Sequence, residues 1–322
     1  MISLEALYVL CRFLHFVVVM LMFGFSLFTT ILASGHFLVL IKKRLRVGLA
    51  ISTVLAFITS MIWFIVQAGL MGDGWHDVYQ FEIWQAVLTT SFGKVWQWQL
   101  LVTALAVGGI FFLRTNVGDS KTKNFLLLGC SVVLLSSHAF IGHVTMYEGK
   151  LGLLLQVNQI VHLLSAGYWF GGLWPFLLFL LCLQFLRLKD ISKPNSAFHQ
   201  IDSCNMENSL YDESVVAMRR FSDYGHVAVF LVIVTGIVSS AILIPGWLTF
   251  DAPASEYQSM LWLKIILVTA MVLLALINRY ILVPKLKQKG RYELLMMNSW
   301  LEIILGTAAL LCVAIFATES PV

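Results

Sequence analysis

The residues that could do chemistry here are imidazoles, a thioether and a few charges set within long apolar runs. His15, His143 and His162 fall in three separate runs, and Met146 follows His143 by three residues. An i,i+3 spacing puts His143 and Met146 on one helical face. Imidazole nitrogen and thioether sulfur suit copper, and sulfur favours Cu(I). Three imidazoles converging from three helices would make a metal or cofactor site. His138 is five residues from His143, so in a regular helix the two point in different directions, and it ranks below the others. His226 stands alone in another run. Arg12, Lys264 and Glu302 are further ionisable groups inside apolar runs. In hydrocarbon such a charge costs at least ~2.5–3.5 kcal/mol and marks a pathway, an ion pair or a water-filled cavity. Each histidine also has a plainer reading, as a hydrogen-bond partner between helices. Cys11 and the methionines at 20, 22, 271, 296 and 297 read as packing or lipid-facing residues, and His76 with Asp77 as part of a turn.

The elements that carry these residues follow from composition. Hydrophobic residues make up 59% of the 322 positions and charged residues 12%, with mean hydropathy +0.87. A soluble domain carries about 25% charged residues. A helical span needs about 20 apolar residues, and eight runs qualify: 4–35, 47–70, 95–113, 124–145, 152–186, 220–245, 259–283 and 293–317. Backbone groups in lipid must bond internally, so these runs are helices. The fold class is an all-α integral membrane protein, one polytopic domain over 1–322 with about eight transmembrane helices.

Orientation follows from charge. Lys42, Lys43, Arg44 and Arg46 follow the first run. Arg114, Lys121 and Lys123 follow the third, and Arg187, Lys189, Lys193, Arg219 and Arg220 follow the fifth. Lys285, Lys287, Lys289 and Arg291 follow the seventh, which places sixteen of the 21 basic residues on one side. The positive-inside rule makes that side cytoplasmic and puts both termini in the periplasm. The outer face holds Glu5, Asp73, Asp77, Glu82, Glu148, Asp251, Glu256 and Glu319 against Lys94 and Lys150. An acidic surface of this kind raises the local concentration of cations. The outer loop 71–94 opens with a Gly-rich turn and continues as an aromatic-rich interfacial helix. Residues 188–214 are polar and read as a flexible cytoplasmic loop. The five cysteines form no C-x-x-C pair, so no disulfide framework is implied. No internal repeat is evident. Basic residues confined to loops exclude a nucleic-acid partner. No Walker A motif, nucleophile elbow or H-E-x-x-H is present, which argues against an ATP-driven or hydrolytic enzyme.

Several short stretches then match a known pattern. They are Arg12-Phe-Leu-His15-Phe16, Gly69-Leu-Met-Gly-Asp-Gly-Trp75 and Ile83-Trp-Gln-Ala-Val87. Gly142-His143, Glu148-Gly149, Asn158 four residues before His162-Leu163, and Trp169-Phe-Gly-Gly172 follow. The last are Arg220-Phe-Ser222, Gly225-His226, Leu263-Lys264 and Asn278-Arg279-Tyr280 running into Val283-Pro284. In order and spacing the chain resembles the copper resistance protein D family (CopD, PcoD), and within it the YebZ-like inner-membrane branch. The resemblance covers nearly the whole chain. It implies copper homeostasis at the bacterial inner membrane, binding and translocation of Cu(I) or Cu(II), and a periplasmic copper-binding partner of the CopC type. His15, His143, His162 and His226 fall on family-like positions; His138 does not. Two other readings stay open. His15 and His162, at matched depth roughly 15 Å below the outer surface, could clamp a b-type haem for electron transfer. The chain could also be a structural subunit without a cofactor.

Overall fold

The structure is a computed structural model that describes residues 3–32, 35–112, 120–142, 147–191, 200–243, 256–285 and 291–316. Ten α-helices and no strands occur among the described residues. Helix α1 (Leu4–Leu27) starts where Ser3 accepts a hydrogen bond from the Ala6 N–H at 3.2 Å, and it runs on through a π-helical segment, Phe28–Leu32. Helix α2 (Gly35–Met71) takes the chain back alongside α1. The basic segment after the first run is therefore helical rather than a loop.

The outer loop holds a 3₁₀ turn (Asp77–Tyr79) and a short helix, α3 (Phe81–Thr89). Asp77 anchors it: one carboxylate oxygen accepts from the Asp73 N–H at 2.6 Å and the other from Gln80 Nε2 at 3.0 Å. Helices α4 (Ser91–Phe112) and α5 (Ser120–Ser137) follow. A 3₁₀ turn, His138–Phe140, ends α5, and Gly142 at φ 84° turns the chain away. The fourth run therefore stops being helical before 145.

Helix α6 (Gly149–Ala166) passes through a second π-helical segment, Gly167–Gly171, into α7 (Gly172–Ile191). Pro175 supplies a local reason for that irregularity, since its ring cannot donate to the carbonyl four residues earlier. Helix α8 (Gln200–Leu243) has 44 residues. Of the loop expected over 188–214, residues 188–191 belong to α7 and 200–214 to α8, and 192–199 lie outside the described residues. Helix α9 (Glu256–Ile277) ends in a third π-helical segment, Asn278–Leu282, and α10 (Arg291–Phe316) completes the bundle.

Seven of the described helices are long and apolar enough to cross a membrane. The expected eighth run lies on α4, which is not one of the seven found among the described residues. Its contacts nevertheless give it the height of its neighbours. Trp96 Nε1 donates to the Ser60 carbonyl of α2 at 2.9 Å near one end, and Lys123 Nζ of α5 donates to the Ile110 carbonyl at 3.0 Å near the other.

The packing reveals a repeat that residue identity hides. α1 pairs with α2 as α6 pairs with α8, and α4 pairs with α5 as α9 pairs with α10. α1 meets α10, and α6 meets α5, which is the same contact with the halves exchanged. The halves cross where Gly24 of α1 meets Gly171; a β-carbon on either would collide with the other helix's backbone. Gly24 lies nine residues after His15 and Gly171 nine after His162. The repeat escapes a sequence reading because it conserves crossing points and helix order rather than residue types.

Candidate functional site

His15 is fully buried on α1. Its Nδ1 lies 2.9 Å from Thr59 Oγ1 on α2. The Thr59 hydroxyl already donates to the Leu55 carbonyl at 2.8 Å, so its oxygen accepts from the imidazole. This network assigns the proton to Nδ1 and leaves the lone pair on Nε2. His15 Nε2 is buried and has no hydrogen-bond partner.

His138 stands beside it, with ring centres 5.3 Å apart and planes inclined at 39°. Its Nδ1 donates to the Leu134 carbonyl at 2.7 Å, which also leaves the lone pair on Nε2. Aromatic rings close the space around the pair. Trp63 and Trp96 lie 5.4 Å and 5.6 Å from His15, and Phe16 lies 4.6 Å from His138. Gln99 of α4 donates to Ser137 Oγ at 2.8 Å, while its buried Oε1 has no partner.

The two rings thus share the features of metal-binding imidazoles. Each donates one N–H to a protein oxygen, which sets the tautomer and orients the ring. His15 keeps its other nitrogen without a partner, while His138 Nε2 accepts a long 3.5 Å contact from Gln99 Nε2. A metal–imidazole bond is about 2.0–2.1 Å for zinc, and the close approach of the rings is compatible with one ion between them.

The reason sequence reading ranked His138 low is geometric. Helix α5 ends at Ser137, and His138 opens the 3₁₀ turn that follows. Its partner was on α1. The signal that could have found it is Gln99, a polar group inside the third run opposite the end of the fourth.

A cavity of about 200 Å³ adjoins the pair, lined by Tyr8, Arg12, Trp63, Gln67, Phe92 and Gly142. Arg12 Nε is buried there without a hydrogen bond. Trp63 belongs to both the cavity and the ring enclosure. His143 and Met146 lie outside the described residues; His143 follows the cavity residue Gly142 directly in the chain.

The remaining expected site residues are not brought to this place. His162 on α6 has its Nδ1 2.8 Å from Thr235 Oγ1 of α8, and Asn158 Nδ2 donates to the Thr235 carbonyl at 2.9 Å. Lys264 of α9 interacts electrostatically with His162 and with Cys312 of α10. His15 and His162 therefore bond to different helices, α2 and α8. His226 is exposed; its Nδ1 donates to the Ser222 carbonyl at 2.7 Å and its Nε2 accepts from Tyr280 at 3.2 Å. Glu302 is buried and accepts from Asn278 and Trp169. Among the described residues no group of three His, Cys, Asp or Glu side chains forms a metal cluster. The candidate is a two-imidazole site.

The comparisons with known proteins agree with the architecture. Residues 1–153 match the family described as copper resistance protein D-like, N-terminal domain, and residues 215–316 match copper resistance protein D. The inner membrane protein YebZ of Escherichia coli (strain K12) is 33% identical over 314 residues, which is 96% of this chain and 97% of that protein. No solved structure matches. With helices long enough to cross repeatedly and this relative along nearly its full length, the chain is a multi-pass inner-membrane protein and belongs to the copper resistance protein D family.

Proposed function

We propose that this protein accepts copper as cargo at the outer face and passes it into the membrane through the His15–His138 pair. The observation that carries the reading is the pair itself: two buried imidazoles, side by side, each with Nδ1 bonded to a protein oxygen, with His15 Nε2 unpartnered and His138 Nε2 held by a long 3.5 Å contact from Gln99 Nε2. The orientation is the one that the basic loops imply, with both termini and residues 71–94 outward. The acidic outer loops gather cations, and the vestibule above the pair leads inward. A periplasmic copper carrier of the CopC type is the donor that the family suggests. The protein acts as a carrier rather than an enzyme.

Cu(I) fits better than Cu(II). Arg12 lies one turn from His15 on α1, and its repulsion of an incoming ion scales with the ion's charge. Two neutral imidazoles add no negative charge to offset a second positive one. His143 and Met146 are further candidate ligands, and a thioether would strengthen the preference for Cu(I).

The test is metal analysis of the purified protein after anaerobic Cu(I) loading, beside a reduced-minus-oxidised absorption spectrum. Wild type should retain copper, and His15→Ala and His138→Ala should each lose it at matched expression. His162→Ala should retain it. Equal retention in all three variants would remove the proposed site. A Soret band lost in His15→Ala or His162→Ala would replace the copper reading with haem.

A further inference from the structure

The second half contains a cavity of about 270 Å³ that ends on Glu302 of α10. That carboxyl is 3% exposed. Neutral donors hold both of its oxygens: Asn278 Nδ2 donates to Oε1 at 2.6 Å and Trp169 Nε1 to Oε2 at 3.3 Å. Asn298 Nδ2 donates to Asn278 Oδ1 at 2.9 Å, which turns the Asn278 amide group toward the carboxyl. Trp169 and Asn278 both come from π-helical segments. Such segments concentrate at functional sites because they re-aim side chains that a regular helix would point elsewhere.

Charged and titratable neighbours are few. From α8, His226 lines the cavity, and Asp223 holds Arg279 of the π segment in an ion pair. Tyr280 holds His226. On α10, Cys312 is ten residues further along, about 15 Å away, and Lys264 of α9 lies near it. α1 carries no titratable side chain between His15 and Leu27, and α7 none before Cys182. No ion pair involves Glu302 among the described residues.

The cavity also has a direction. Ser222, His226 and Arg279 line it near the end where α10 begins. Glu302 is eleven residues into α10 from Arg291, about 16 Å along the helix. The cavity thus runs from Ser222, His226 and Arg279 to Glu302, with Asn278 and Ser299 as its other polar lining residues and apolar side chains making up most of the rest.

We propose that Glu302 is an exchangeable proton site served from the cytoplasmic end through this cavity, and that its proton is exchanged against copper passage. The proton site stands on its geometry alone; the coupling rests on the copper reading above. A proton from water at the mouth adds to a carboxylate oxygen of Glu302 and gives the neutral acid. Its departure by the same route restores the carboxylate as a cation enters, so charge is conserved in the exchange.

Two measurements on the full chain in lipid nanodiscs and proteoliposomes separate the parts. Infrared difference spectra between two buffers both above the ordinary carboxylate range should show one carboxylic C=O band that titrates. The band should vanish in Glu302→Gln and shift in Glu302→Asp. With a pH dye inside copper-loaded vesicles, wild type should show copper-linked proton flux. Glu302→Gln should lose that flux while keeping equilibrium copper binding. A band that survives in Glu302→Gln, or a carboxyl that never titrates, overturns the proton site. An unchanged flux in Glu302→Gln overturns the coupling. Failure of wild type to bind copper, with the titrating band present, sinks the copper reading and leaves the proton site in place.

Discussion

The two halves of the molecule hold a histidine on equivalent helices, each bonded through Nδ1 to a threonine on the next crossing helix. In both, the threonine hydroxyl bonds back to a carbonyl of its own helix, so the imidazole must be the donor. The surroundings then diverge. His15 meets a second imidazole within a box of tryptophans and is sealed from solvent. His162 is half-buried and has an ammonium, Lys264, and the Cys312 thiol in its neighbourhood. Each site has a buried basic residue nearby, Arg12 at the first and Lys264 at the second, but only the first pairs its histidine with another imidazole. The second half instead places its buried carboxyl deeper and opens a cavity to it. One repeated arrangement therefore has two different surroundings, an imidazole pair in one half and a buried carboxyl in the other. Position along the helix is shared; the neighbours decide the role.

The comparison can be broken most severely at the crossing. Gly24→Leu would drive a side chain into the backbone of Gly171 and Gly172. Overpacking costs about 1–3 kcal/mol even where neighbours can shift, and backbone cannot shift without separating the halves. The expected result is loss of the monodisperse folded protein in detergent, read by size-exclusion chromatography and thermal unfolding. A Gly24→Leu protein as stable as wild type would mean that the halves do not cross here.

A finer cut removes only the threonine hydroxyls. Second-sphere partners of a metal-bound histidine are worth about 10–100-fold in affinity. Thr59→Val should weaken copper binding by that factor, and Thr235→Val should leave it unchanged in a competition titration with a Cu(I) chelator. Equal losses in both variants would show that the two histidines serve one shared ion.

The smallest effect lies outside the bundle. The Asp73 backbone N–H, with a contribution from His76, holds the Asp77 carboxyl below the usual aspartate range. Its folded-state value is depressed, so the stabilisation is present above the unfolded value and is lost as pH falls through the folded one. Amide exchange at Asp73 should therefore be slow at neutral pH and quicken only below the ordinary carboxylate range. Asp77→Asn should exchange quickly at neutral pH and lose the acid-dependent change, with copper binding at the imidazole pair unaffected. An acid transition that persists in Asp77→Asn would assign it to another group.

How far the chain could be read beforehand differs from residue to residue. Arg12, His15, His162 and Glu302 were visible because an ionisable group inside a 20-residue apolar run is costly wherever the run packs. His138 was visible as a residue, but its nearness to His15 was not, because that neighbour comes from another helix. Trp63, Trp96 and Thr59 looked like ordinary packing residues and form the walls and anchor of the candidate site. Residues 200–214 looked like a loop, since polarity marks exposure to water without saying whether the backbone is helical.

The amino-acid sequence by itself determined the membrane class, the approximate places of seven apolar spans and the family resemblance. These are sums and orders along the chain, and they survive any packing of the helices. Tertiary structure alone decided that His15 faces His138 and not His162, that Gly24 rides on Gly171, and that Asn278 and Trp169 both reach Glu302. Successive helical residues are turned by a large fraction of a circle at 3.6 per turn. A side chain's partner therefore depends on each helix's rotation about its axis, and that rotation is set by contacts between residues far apart in the sequence.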